Sequence, residues 1–309
     1  MKSNEASLTS LVSAFGRAYH HLFDTPIIFD DFIAPKLLSE QEFEAVKMNM
    51  TKGISFFNVD VAMKFKDQPD EVLKWVTQVQ LSPTPLARAA FCEKVLLHEV
   101  SLGVSQYIIL GAGMDTFALR YPQLEDKLSI YEVDFPTTQQ FKINKLQESN
   151  LTVPSNLHFI PCDFTKNIST DFLFKNGVKR EKTFFSLLGV SYYLSKDDIK
   201  QLLMNLFKEM PEGSSIVFDY ADENLFTEKG LSNRVENMVK LAAASGEPMK
   251  SHFTYKEMES LLEEAGLLIY EHLSPEDIQS QFFNDRDDYL KAFETVHHIH
   301  AVKKYLEKY

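Results

Sequence analysis

Two glycines one residue apart, Gly111 and Gly113, follow the apolar run Gln106–Leu110 in the segment Leu110-Gly111-Ala112-Gly113-Met114-Asp115-Thr116. Lacking a Cβ, glycine lets the chain turn tightly and lets a ligand come against the backbone. Unpaired N–H groups at the start of a following helix would favour an anionic or carboxylate-bearing ligand. Asp134 closes the run Tyr131-Glu132-Val133-Asp134-Phe135-Pro136, 21 residues beyond Gly113. In doubly wound folds an acid about 20 residues after the glycines accepts hydrogen bonds from ribose hydroxyls, and its charge strengthens each bond. Glu132 alternates with Asp134 and points to the same side, so only one of the two need touch ribose. Asp163, in Pro161-Cys162-Asp163-Phe164, closes the next apolar run. It could accept from an adenine amino group, with Phe164 packed nearby.

Each residue also has a plainer role. The glycines could make an ordinary strand–helix turn, Asp134 could be a solvated strand-end charge, and Asp163 could cap a helix. Together, at the ends of successive strands, they favour a nucleoside crevice. A dinucleotide site would want a third glycine in G-x-G-x-x-G, where this chain has Thr116. Its absence points to a single nucleoside, with S-adenosylmethionine as the first choice. A nicotinamide-dependent oxidoreductase on a related fold and a non-catalytic adenosine-binding module are the alternatives.

These residues need strands that end together. Gln106–Leu110 is a short β-branched run of the kind buried on both faces of a sheet. Further strands are expected at 128–133, 157–160, 183–188, 215–220 and 267–272, with an edge hairpin near 298–302. Helices are expected at 115–121, 136–147, 196–210, 225–244 and 255–265. Strands alternating with helices imply a mostly parallel, doubly wound α/β sheet. The preceding region looks helical, at 7–23, at 69–79 and from a Thr84-Pro85 start to about Val100. This gives a helical lid over 1–103 and a Rossmann-like domain over 104–309, read as one integrated unit. Phe56, Phe57 and Trp75 of the lid could line an acceptor site or pack the lid onto the core.

The composition is that of a globular chain: 309 residues, 44% hydrophobic and 25% charged. A net charge of −12 disfavours a nucleic-acid partner, because phosphate binding needs a basic face. Cys92 and Cys162 cannot build a disulfide framework, and are expected to be reduced core residues. No signal peptide and no apolar run of membrane-spanning length stands out, which predicts a cytoplasmic protein without a membrane partner. The sequons Asn49-Met50-Thr51, Asn150-Leu151-Thr152 and Asn167-Ile168-Ser169 are accordingly expected to be idle. His297, His298 and His300 cluster near the C-terminus, and His298 and His300 share a strand face that could bind a metal, but no cysteine completes a set; they read as a solvated edge strand, and no metal is expected.

The glycine segment followed by the Glu132-Val133-Asp134-Phe135-Pro136 run resembles the leucine carboxyl methyltransferase family. The likeness runs from Gly16-Arg17-Ala18 to the last expected strand. It implies an S-adenosylmethionine-dependent methyltransferase of the class I fold. By that likeness Gly111, with Ala112 and Gly113, lies at the methionine part of the cofactor. Asp134 holds ribose, and Asp163 with Phe164 frames adenine. Arg88, in Leu86-Ala87-Arg88-Ala89-Ala90, matches an arginine that pairs with the cofactor carboxylate. A guanidinium fork suits that task, although Arg88 also fits a surface helix arginine. The family often has an acid where this chain has Leu188, which points to a divergent branch, one that could act on small molecules.

Methyl transfer from a sulfonium is an in-line displacement that needs alignment. A carboxylate acceptor, on a small molecule or a peptide, is already ionised, whereas a hydroxyl acceptor needs a general base. Tyr192, Tyr193, Asp219 and Tyr220 lie near the fourth and fifth strand ends, and none is singled out as a base. Alternation puts Asp219 and Tyr220 on different sides.

Overall fold

The computed structural model describes residues 3–163 and 168–305. Its strands are β1 Gln106–Leu110, β2 Ser129–Asp134, β3 Leu157–Pro161, β4 Thr183–Leu187, β5 Ser215–Ala221, β6 Leu267–Leu273 and β7 Val296–Lys303. They form one seven-stranded sheet in the order β3-β2-β1-β4-β5-β7-β6. The first five strands are parallel. β7 runs antiparallel between β5 and β6. The helices of eight or more residues are α1 Ser3–Phe23, α2 Glu40–Lys52, α3 Pro69–Val76, α4 Pro83–Ser101, α5 Pro136–Glu148, α6 Lys196–Phe207, α7 Arg234–Ala244, α8 Tyr255–Glu264 and α9 Pro275–Phe282.

Period-two alternation divides β1 between two cores. Ile108 and Leu110 join Val133, Phe185, Leu187 and Phe218 beneath Ile199 and Leu203 of α6 and Met258 and Leu262 of α8. Tyr107 and Ile109 join Ile130, Phe184 and Val217 beneath Leu86, Phe91 and Leu96 of α4. Full burial of such a side chain contributes about 1.5–3 kcal/mol. With apolar layers on both faces, β1 has no solvent-facing side, which explains its unbroken apolar run. β1 lies between β2 and β4, so the chain order reverses there, and ligands of such sheets sit in the crevice outside the strand ends at that switch.

Several expected elements differ. The strand at 298–302 is not at an edge: β7 is interior, β6 is the edge, and His298 and His300 are buried rather than solvated. Among the described residues no group of three or more His, Cys, Asp or Glu could hold a metal. The helix expected at 115–121 is only the four residues Phe117–Arg120, because Thr116 keeps a non-helical backbone. The helix expected from 225 starts at Arg234, after positive φ at Gly230, Ser232 and Asn233. α4 begins at Pro83 behind Ser82, so Thr84-Pro85 lies inside its first turn. α3 stops at Val76, and Thr77–Leu81 is a π-turn. Cys92 is buried, and Cys162 is half-buried, packed against the core at a cavity wall. No helix among the described residues is long and apolar enough to cross a membrane.

Candidate active site

A cavity of about 630 Å³ opens outside the ends of β1, β2 and β4. That is within the range of about 300–1,000 Å³ typical of small-ligand sites. Its walls include Arg88, Gly111, Ala112, Gly113, Asp134, Asp163, Leu188 and Tyr193. Residues separated by up to 105 positions in the chain thus share one wall. Phe164 and Asn167 lie outside the described residues.

The loop after β1 turns with φ of 73° at Gly111 and 51° at Gly113, a region that L side chains rarely adopt. It leads only to a four-residue helix in place of the expected longer one, and the loop N–H groups of Gly111, Gly113 and Asp115 already donate within the chain. Asp134 at the end of β2 accepts from the Gly113 N–H at 2.6 Å and from the Phe135 N–H at 2.6 Å. Burial pushes its carboxyl above the usual range, against the two N–H bonds that favour its charge. Each carboxylate oxygen keeps a lone pair for a further donor. Glu132 does not reach this site. It is buried against Lys142 of α5, with 2.5 Å to each carboxylate oxygen.

Arg88 is not a surface arginine. Its guanidinium, 19% exposed, pairs with Asp219 of β5 at 3.2 Å. Burial would lower its pKa, but Asp219 outweighs that and raises it. Tyr193 reaches the cavity wall. Tyr192 is buried and donates to Asp219 at 2.5 Å. Tyr220 points to the other face, stacked on His297 and 3.1 Å from the His272 imidazole. Phe57 and Trp75 are buried in a cluster of their own, Phe56 is exposed, and none of the three lines the cavity.

A second group of charges was not found from the sequence. Arg17 of α1 donates from Nε to Asp31 at 2.8 Å and from Nη2 to the Met114 carbonyl at 2.6 Å. Thr116 donates to the other Asp31 oxygen at 2.8 Å. Burial pushes the Asp31 carboxyl up, but Arg17 and Arg120 outweigh it and leave it below the usual range. Thr116, standing where a dinucleotide fold has its third glycine, fastens the glycine loop to the N-terminal segment. Its hydroxyl was the only sequence signal for this contact.

Comparisons with known proteins place the chain in a family. Residues 10–207 match the leucine carboxyl methyltransferase family. YktD of Bacillus subtilis (strain 168), assigned by name to the S-adenosyl-L-methionine-dependent methyltransferases, is 63% identical over 98% of this chain and 100% of its own length. A Mycobacterium ulcerans (strain Agy99) protein assigned by name to the same class is 24% identical over 72% of this chain and 68% of its own. The crystal structure of a DUF574 family protein from Streptomyces avermitilis shares the fold, with a TM-score of 0.55, 14% identity and coverage of 94% of this chain and 97% of that one. The nicotinamide-dependent alternative finds no support among these relatives. The chain belongs to the leucine carboxyl methyltransferase family, and is an S-adenosylmethionine-dependent methyltransferase with the doubly wound class I fold.

Proposed function

We propose that the enzyme transfers its methyl group to an acceptor carboxylate, on a small molecule or a peptide. The observation that carries this reading is that, at the Arg88 end of the cavity, Asp219, Asp198 and Tyr192 are hydrogen-bonded within the chain and Tyr193 is held protonated by burial. Both oxygens of Asp219 accept hydrogen bonds from the chain. Asp198 accepts from the Ser195 hydroxyl and N–H, which hold its carboxyl below the usual range and make it a weak base. Burial, and the Asp219 charge, push the Tyr192 phenol well above its ordinary value. Burial likewise raises Tyr193, despite the nearby Arg88. Such a set is poor at taking a proton near neutral pH, and a carboxylate acceptor has none to give.

The same residues fit the cofactor. Asp134 is proposed to accept from the ribose hydroxyls and Asp163 from the adenine amino group. Gly111, Ala112 and Gly113 would let the methionine portion lie against backbone with little side chain in the way. Arg88 would take the cofactor carboxylate. S-adenosylmethionine, when bound, supplies an electrophilic methyl on its sulfonium. The chain's task is to orient donor and acceptor in line and to keep water out. Ser10, Ser13 and Arg17 of α1 reach the cavity wall, which supports a lid role for the N-terminal helices.

The test uses cofactor labelled with tritium in the methyl group, incubated with the enzyme and pools of carboxylic acids or peptides. The label should enter a product that mild alkali hydrolyses to volatile methanol, the mark of a methyl ester. Label that survives alkali would show an ether or amine product and overturn the carboxylate reading.

A further inference from the structure

Strand β5 carries a fully buried acid, Asp219, for which the methyl-transfer reading has no chemical use. Its Oδ1 accepts from the Gly189 N–H at 2.7 Å. Its Oδ2 accepts from Arg88 Nη1 at 3.2 Å and from the Tyr192 hydroxyl at 2.5 Å. Its backbone carbonyl accepts from the Ser191 hydroxyl. One carboxylate therefore ties α4, the turn after β4 and the Ser191–Tyr193 turn together. A buried carboxylate is costly unless paired and hydrogen-bonded, and here three donors from distant parts of the chain converge on it.

The surroundings leave room for Arg88 in this position. Gly189 has a φ of 71°, and a Cβ there would collide with the Arg88 guanidinium. Glycine at 189 thus keeps open the slot that the guanidinium fills. Across the ladder, Asp219 faces His298, whose ring stacks on Phe91 of α4, one turn beyond Arg88. Neither His298 ring nitrogen has a partner, so the imidazole does not compete for the carboxylate.

We infer that Asp219 is a positioning residue, which holds the Arg88 guanidinium at the cavity wall so that its remaining donors can read the carboxylate of the bound cofactor. A guanidinium has five N–H donors, and Asp219 takes one. A free arginine would have to give up rotamer freedom on binding. Fixing it beforehand removes that cost from the binding step. Asp219 does this without touching the reacting atoms, since both of its oxygens are taken. The inference rests on the proposal that Arg88 reads the cofactor carboxylate.

The experiment is calorimetric titration of S-adenosylhomocysteine and, separately, adenosine into the wild type, Arg88→Ala, Asp219→Asn and the double variant. Asp219→Asn should weaken S-adenosylhomocysteine about 10- to 100-fold, the scale for hydrogen bonds to a charged group, and leave adenosine nearly unchanged. The double variant should bind no worse than Arg88→Ala alone. If Arg88→Ala weakens both ligands equally, the reading of Arg88 fails and takes this inference with it. If Arg88→Ala separates the ligands but Asp219→Asn weakens both alike, or neither, Asp219 is only structural and the inference alone fails. Should Asp219→Asn not fold, Tyr192→Phe decides. It removes one tether from the carboxylate and should weaken S-adenosylhomocysteine about fivefold but not adenosine, as expected for one hydrogen bond. A Tyr192→Phe enzyme with wild-type affinity for both ligands would overturn the inference.

Discussion

At the β2 end of the cavity, Asp134 accepts from its own successor, Phe135, and from Gly113, 21 residues away. At the β5 end, Asp219 accepts from Arg88, 131 residues away. The first arrangement is a property of one strand–loop–helix–strand unit. The second exists only after the sheet has brought β4 and β5 beside β1 and laid α4 across them. The two ends should therefore respond differently to substitution. At the β2 end, damage should reach every ligand that carries a ribose. At the β5 end, it should reach only ligands that carry the methionine carboxylate.

The largest expected effect is on the platform beneath Asp134. Lys142→Met leaves Glu132 buried without its partner and should cost about 3–5 kcal/mol of stability, measured by denaturant unfolding at pH 8. Burial, against the pull of Lys142, already raises the Glu132 carboxyl to about 7. Without Lys142 the Glu132 carboxyl rises further, so the variant's folded state takes up a proton above pH 7 that the unfolded chain lacks, and the deficit should ease as pH falls from 8 toward 7. A deficit independent of pH would show that the pair does not carry the effect.

Asp134→Ala should weaken both S-adenosylmethionine and adenosine by about 1–3 kcal/mol, read by calorimetry. Loss for one ligand only would remove Asp134 from the ribose. Arg88→Ala should cost about 1.5–3 kcal/mol for S-adenosylmethionine alone, and an equal loss for adenosine would erase the distinction between the two ends.

The smallest effect near neutral pH concerns His298. Burial lowers its pKa to about 4, while an unfolded histidine titrates near about 6.5. The unfolded chain binds the proton first, so this contribution to stability is present above about pH 6.5 and is lost as pH falls toward 4. His298→Phe should flatten that part of the stability–pH curve. An unchanged slope would assign it to other groups, such as His300 and His272, which are lowered in the same way.

Much of the β2 end could be read from the sequence. Apolar runs of sheet type, the Gly111 and Gly113 spacing and the distance to Asp134 are all local, and local pattern reports them well. The β5 end was legible only in part. Arg88 came forward through family likeness, whereas its chain context alone fits a surface arginine. Asp219 was noted at a strand end, but nothing in the chain near it announces a partner 131 residues back. β7 was misplaced for a similar reason. It enters the sheet between β5 and β6, so the last strand in the chain is not the last in space, and His298 and His300 are buried. Thr116 was read only as a missing glycine. Its hydroxyl proved to fasten the glycine loop to Asp31.

In this arrangement one cofactor spans both ends, with ribose proposed on Asp134 and carboxylate on Arg88. A crystal structure with S-adenosylhomocysteine tests it most directly. Ribose hydroxyls should lie within hydrogen-bond distance of the Asp134 carboxylate and the homocysteine carboxylate on the Arg88 guanidinium, with Asp219 still paired to it. Ribose bound away from Asp134, or a carboxylate pointing away from Arg88, would contradict it.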